Sequence, residues 1–201
     1  MGFSNRQLLR YIGNYNLHIN NFKLFFTLFL IVFLILEIIA LGKDSHYIYD
    51  IPMCALLLYI VYRYRSLLHL DIVLFILFSI FLLVHCLGLF DAYLLYPLGI
   101  EYDYWVHGYF GLVSGLIIFK WMNLYLKNTH INAVLIFTLL FVLGISALHE
   151  LYEYAGALLL GSGEGVLFIG AGDLDQWDTQ KDMLNNVIGA VVGVSLRIIS
   201  S

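Results

Sequence analysis

Long apolar runs separated by short polar connections dominate this chain. They cover residues 24–41, 48–62, 72–90, 105–121, 131–160 and 183–199. Most are near the ~20 residues a helix needs to cross ~30 Å of hydrocarbon. The pattern predicts an all-α fold: a polytopic membrane helix bundle with about six transmembrane helices, in a single integral membrane domain over 1–201. The first run is longer than the ~7–15 apolar residues of a signal-peptide core, so it reads as a span and not as a cleaved leader. Pro52 falls near the start of the second run, where a helix tolerates proline. Gly111 and Gly115 in the fourth run, and Gly189 and Gly193 in the sixth, are four residues apart. Such spacing lets membrane helices approach closely. The segment 161–181, rich in glycine and acidic residues, reads as an irregular loop. The unusual polar residues fall on spans three to six, which makes those the working bundle and leaves spans one and two peripheral.

Composition agrees. Hydrophobic residues make up 62% of the 201 residues and charged ones only 12%, against roughly 25% charged in a soluble domain. The chain is an integral membrane protein whose first partner is the lipid bilayer. Cys54 and Cys86 lie inside apolar runs without CxxC spacing and read as buried free thiols. Of the ten Lys and Arg residues, eight fall in the termini and the even-numbered connections and two in the odd ones. The positive-inside rule then places both termini in the cytoplasm of a plasma (inner) membrane protein.

With that orientation, the polar residues at the ends of four apolar runs converge on the outer side. His85 ends the third. Asp103 and His107 open the fourth. His149, Glu150 and Glu153 lie near the end of the fifth, and Asp178 and Asp182 open the sixth. Glu150 and Glu153, at i, i+3, share a helix face. Ionisable groups near hydrocarbon are costly and mark partners or function. Imidazole and carboxylate donors in a bundle suit a divalent metal ion, so His85, His107, Glu150, Glu153 and Asp182 are the expected ligands. Asp103 or Asp178 would orient a histidine or act as catalytic base. No Gly-rich loop ending in Gly-Lys-Ser/Thr supports a nucleotide, and no basic patch supports nucleic acid.

The run Gly144-Ile145-Ser146-Ala147-Leu148-His149-Glu150-Leu151-Tyr152-Glu153-Tyr154, then Trp177-Asp178-Thr179-Gln180-Lys181-Asp182-Met183, resembles the YjdF-like family of bacterial inner-membrane proteins. His85-Cys86-Leu87-Gly88 and Tyr102-Asp103 with His107-Gly108 are similar to that family's first two motifs, in matching order over residues 24–195. Asp182, Asn186, Gly189-Ala190 and Gly193 also resemble the end of VanZ-like membrane proteins. The chain departs from the YjdF-like pattern at three places. Tyr104 stands for an arginine, His149 for a tryptophan and Lys181 for an aromatic residue. The resemblance implies a multi-spanning fold with a shared polar cluster and supplies no activity.

Three functions fit these residues. The first is a metal-dependent membrane enzyme acting on a lipid-linked or envelope substrate. The second is a small proton-coupled transporter using the same groups as a relay. The third is a non-catalytic structural or assembly protein whose polar cluster locks the bundle. The topology has a direct check: reporter fusions at Asn16 and Ser201 both report cytoplasm, and an exterior signal at Ser201 overturns the orientation or the span count.

Overall fold

The computed structural model describes residues 5–160 and 177–199. Six α-helices account for most of them: α1 (Asn5–Lys43), α2 (Asp50–Tyr64), α3 (Ile72–Cys86), α4 (Tyr102–Tyr125), α5 (Ile131–Leu160) and α6 (Asp178–Ile199). Helices are what the bilayer demands, because only internal hydrogen bonds satisfy the backbone there. Among the described residues, four segments are long and apolar enough to cross a membrane: Asn20–Lys43, Ile72–Phe90, Ile131–Ala155 and Asp178–Ile199. The other two helices depart for separate reasons. α2 has 15 residues, about 22 Å at ~1.5 Å per residue. α4 has 24 residues but opens with polar and aromatic side chains.

The boundaries refine the sequence reading. Helix α1 begins at Asn5, far ahead of its apolar run, and its 39 residues exceed any bilayer. Helix α6 begins at Asp178, so the expected loop ends earlier than 181, and residues 161–176 lie outside the described residues. Acidic Asp178 in the first turn of α6 favours the positive end of that helix. Between α3 and α4, short 3-10 turns at Leu87–Phe90, Ala92–Leu94 and Pro97–Gly99 form the connection.

Two helix groups are distinguishable. Phe33, Ile51, Leu58, Phe75 and Leu82 pack α1, α2 and α3 into one apolar cluster. Phe119, Met122, Val134 and Val194 join α4, α5 and α6. The closest pairing is α4 with α6. The two helices run parallel, with small residues at the seam. A Cβ on Gly189 would collide with the Gly108 carbonyl, one on Gly193 with the Leu112 carbonyl, and one on Gly111 with the Asn186 carbonyl. A Cβ on Gly115 would lie 2.8 Å from Ala190 Cα. Gly42 has open space around it.

The peripheral role expected for span two needs correction. Asp50, in the first turn of α2, is fully buried and pairs with His85 of α3. A carboxylate there is too costly to leave unpaired, so α2 is tied to the polar end of the bundle. At the opposite end, Asp71 caps α3 by accepting from the Leu74 amide at 3.0 Å. It also meets Lys120 Nζ of α4 at 2.8 Å. Partial burial alone pushes the Asp71 carboxyl up, but Lys120 and the Leu74 amide outweigh it and hold the carboxyl below its ordinary value.

Two tests follow from this packing. Gly111→Leu or Gly189→Leu lowers the melting temperature by the equivalent of ~1–3 kcal/mol or more, as overpacking does, whereas Gly42→Leu leaves it nearly unchanged. Equal melting of the three variants contradicts the seam. The depressed Asp71 carboxyl stabilises the fold above the ordinary aspartate value of about 4, and that gain is lost as pH falls through the lower folded value. Lys120→Met therefore melts earlier than the parent at neutral pH, and the gap closes below about pH 4. A gap independent of pH contradicts the pairing.

Candidate functional site

The parallel seam brings the first turns of α4 and α6 side by side. Asp103 and His107, one helical turn apart on α4, face Asp182 of α6. His107 Nε2 lies 3.7 Å from Asp103 Oδ1 and 3.7 Å from Asp182 Oδ2. One donor atom from each of the three lies within 4.8 Å of the others. Ligands at ~2.0–2.2 Å from one metal ion sit ~3.0–3.5 Å apart, so His107 would close by a few tenths of an ångström on each carboxylate, and the two carboxylates by up to about 1 Å on each other, to hold an ion. His107 and Asp182 are buried, Asp182 at 2% exposure. Two carboxyl groups this close, away from water, need a proton or a cation between them.

Helix α5 completes the centre. His149 Nε2 lies 3.3 Å from Glu153 Oε1, one turn on. The His149 and His107 rings are 6.2 Å apart between centroids. Glu150 is buried at 8% exposure, and its charge and that of Glu153 both act on Asp182. Asp178 opens α6 one turn before Asp182, half-buried, and adds its charge to both Glu150 and Asp182. Buried oxygens without a hydrogen-bond partner concentrate here: Glu150 Oε1, Asp182 Oδ1 and Asn186 Oδ1, with Glu37 Oε2 on α1 the one elsewhere among the described residues. Buried polar atoms are ordinarily satisfied, so three orphans in one centre mark a place built for something more.

Asn186 positions His107. Its side-chain nitrogen lies 3.2 Å from His107 Nδ1 and donates to Ser146 Oγ at 2.6 Å. As drawn, the amide donates to Nδ1 and leaves the proton on Nε2. With the amide turned over, its oxygen accepts from Nδ1–H and from the Ser146 hydroxyl, and the Nε2 lone pair then faces the two carboxylates. Amide orientation and histidine tautomer are thus linked.

His85 stands apart from the triplet. Its Nε2 donates to Asp50 Oδ2 at 3.2 Å, and its Nδ1 meets the Tyr93 hydroxyl at 3.0 Å. Burial pushes the Tyr93 phenol well above its ordinary value, so it stays protonated and donates. Both His85 nitrogens are engaged, and neither is free to ligate a metal alongside His107. The two centres nevertheless face one cavity of ≈ 190 Å³, lined by Cys54, His85, His107, Ser146, His149 and Asn186 among others. Cys54 and Cys86 are buried free thiols, as expected from their placement.

Of the seven residues singled out in the sequence, His107 and Asp182 form a triplet with Asp103. Glu150, Glu153 and Asp178 surround it, and His85 belongs to a second pair. The sequence reading missed Asp50 and Tyr93, and it did not join Asn186 to a histidine. An aspartate opening a short apolar helix was the available signal for Asp50.

A family described as predicted membrane protein (DUF2238) matches residues 22–200. The inner membrane protein YjdF of Escherichia coli (strain K12) is 33% identical over 111 residues, which cover 49% of this chain and 51% of that protein. The chain spans about half the length of the curated relative it matches. No solved structure matches.

Proposed function

The chain belongs to the DUF2238 family of predicted membrane proteins, and on that footing we propose that its buried polar centre holds a divalent cation used in a hydrolytic reaction on a lipid-linked or envelope substrate. The similar Escherichia coli protein is named an inner membrane protein, and we place this chain in the same kind of membrane with the centre toward the outer leaflet. Asp103, His107 and Asp182 are the ligands. Glu150, Glu153 and Asp178 hold further negative charge around the ion, and His149, paired with Glu153, is positioned to move a proton. One imidazole with carboxylate oxygens suits Mn²⁺, Fe²⁺ or Zn²⁺, and a bound ion of this kind activates water.

The observation that carries this reading is the unpartnered Asp182 Oδ1, at 2% residue exposure, in a triplet whose donors lie within 4.8 Å of one another. A buried carboxylate needs a counter-charge or a proton. The closeness of the Asp103 and Asp182 carboxyl groups favours a second reading, in which the same groups share protons as a relay. Metal binding separates the two.

Purified protein titrated with Mn²⁺ or Zn²⁺ gains ~2.7 kcal/mol of stability at about 100 times the dissociation constant. The double variant Asp103→Asn, Asp182→Asn loses that gain, and His107→Ala weakens binding about tenfold or more. A wild-type melting curve unmoved by both ions, with no metal carried through purification, overturns the cation in favour of the relay.

A further inference from the structure

A second cavity adjoins the histidine-lined one. Phe81, Phe110 and Ile145 line both, and the second, of ≈ 390 Å³, lies between α3, α4 and α5. That second space reaches Leu68 and Leu70, beside the start of α3, and Trp121 near the end of α4. These residues belong to the end of the bundle where Asp71 meets Lys120, opposite the polar centre. From His107 to Trp121 is fourteen residues of α4, roughly 21 Å at ~1.5 Å per residue. The pair of cavities therefore runs most of the way across the bilayer.

The walls change character along this path. Ser114 is the only residue with a polar side chain other than Trp121 in the lining of the second cavity. Its hydroxyl is turned back onto its own helix, donating to the Phe110 carbonyl at 2.7 Å. The indole apart, the wall is apolar. At the junction the Phe81 and Phe110 rings lie 5.4 Å apart in a tilted pair and stand between the two spaces.

We propose that the second cavity takes one hydrocarbon tail of a lipid whose polar head enters the histidine-lined cavity. This deepens the lipid-linked reading above and rests on it. The volume lies within the ~300–1,000 Å³ typical of ligand sites, and a polar pocket joined to a long apolar slot is the shape of a single-tailed amphiphile. A tail already in a bilayer gains little by exchanging lipid for protein, since lipid is as apolar as leucine. The slot therefore confers selectivity for a slender tail and sets the depth of the head, without adding much affinity.

Trp121 reports occupancy. The chain has three tryptophans, so the variant Trp105→Phe, Trp177→Phe leaves Trp121 as the single emitter. This full-length protein in phosphatidylcholine vesicles is titrated with a long-chain alkyl phosphate brominated at the far end of its chain, a contact quencher. Quenching saturates, and a brominated alkane of the same length gives no saturable step. Ser114→Phe or Ile117→Phe fills the slot and raises half-saturation about tenfold, or ~1.4 kcal/mol. Mn²⁺ titration of both variants, unchanged from the parent, shows that the polar centre survives. Quenching that grows linearly with probe and is the same in both filled variants means ordinary bilayer lipid only, and overturns the proposal. Equal competition by an unbrominated two-chain phosphatidic acid overturns the single-tail selectivity. Saturable, slot-dependent quenching in a protein that binds no Mn²⁺ supports the slot while removing the metal reading, so the two fail separately.

Discussion

Gly111 and Gly115 on α4 meet Asn186 and Ala190 on α6 with almost nothing between the two backbones, and Gly189 and Gly193 return the contact. Inside a bilayer no hydrophobic force pushes helices together, so close van der Waals packing has to hold them. This contact also decides the chemistry. His107 immediately precedes Gly108, and Asn186 stands three residues before Gly189, so the polar turns of both helices are anchored by the same seam. Any side chain inserted there would part Asp103 and His107 from Asp182 and Asn186 together.

The result is two histidine–carboxylate assemblies of opposite character on one cavity. In the first, Asp50, His85 and Tyr93 satisfy one another: the imidazole has a partner on each nitrogen. It is closed and ties α2 and α3 to the loop that follows. The second, around His107, is open. It has an excess of carboxyl groups, longer contacts of 3.7 Å and unpaired oxygens. Repulsion among close carboxylates is poorly screened away from water, so the open assembly demands a proton or a positive partner, whereas the single carboxylate of the closed one is met by hydrogen bonds. Equal residue types at one end of the bundle thus divide into a satisfied fastening and an unsatisfied acidic centre.

Much of this was legible in the sequence, because hydrophobic runs dictate spans. Helix α5 follows its predicted limits, and the glycines at four-residue spacing marked the α4–α6 contact. Convergence of Asp103, His107, Glu150, Glu153 and Asp182 was also readable, since each ends an apolar run on the same side. Which of these would touch was not readable. Side-chain partners depend on helix rotation about its axis, and periodicity does not set the rotation of one helix relative to another. His85 looked equivalent to His107 for this reason, and only the packing of α2 against α3 gave it Asp50. The start of α6 was missed because Asp178 and Lys181 are polar, while a helix begins with its capping turn and not with its apolar stretch.

Two departures from the resembled family pattern meet across the same seam. Where that pattern has arginine on α4 and an aromatic residue on α6, this chain has Tyr104 and Lys181. Lys181 Nζ lies 5.8 Å from the centre of the Tyr104 ring, a cation–π contact between the two helices. The third departure, His149, adds an imidazole beside His107 and gives Glu153 a partner. Beside the carboxyl groups stand a lysine held over the Tyr104 ring at the start of α6 and an imidazole on α5. The lysine's permanent charge is kept out of the cavity. Inside it, the orientation of the Asn186 amide decides which His107 nitrogen carries the proton and which presents a lone pair to the carboxyl groups.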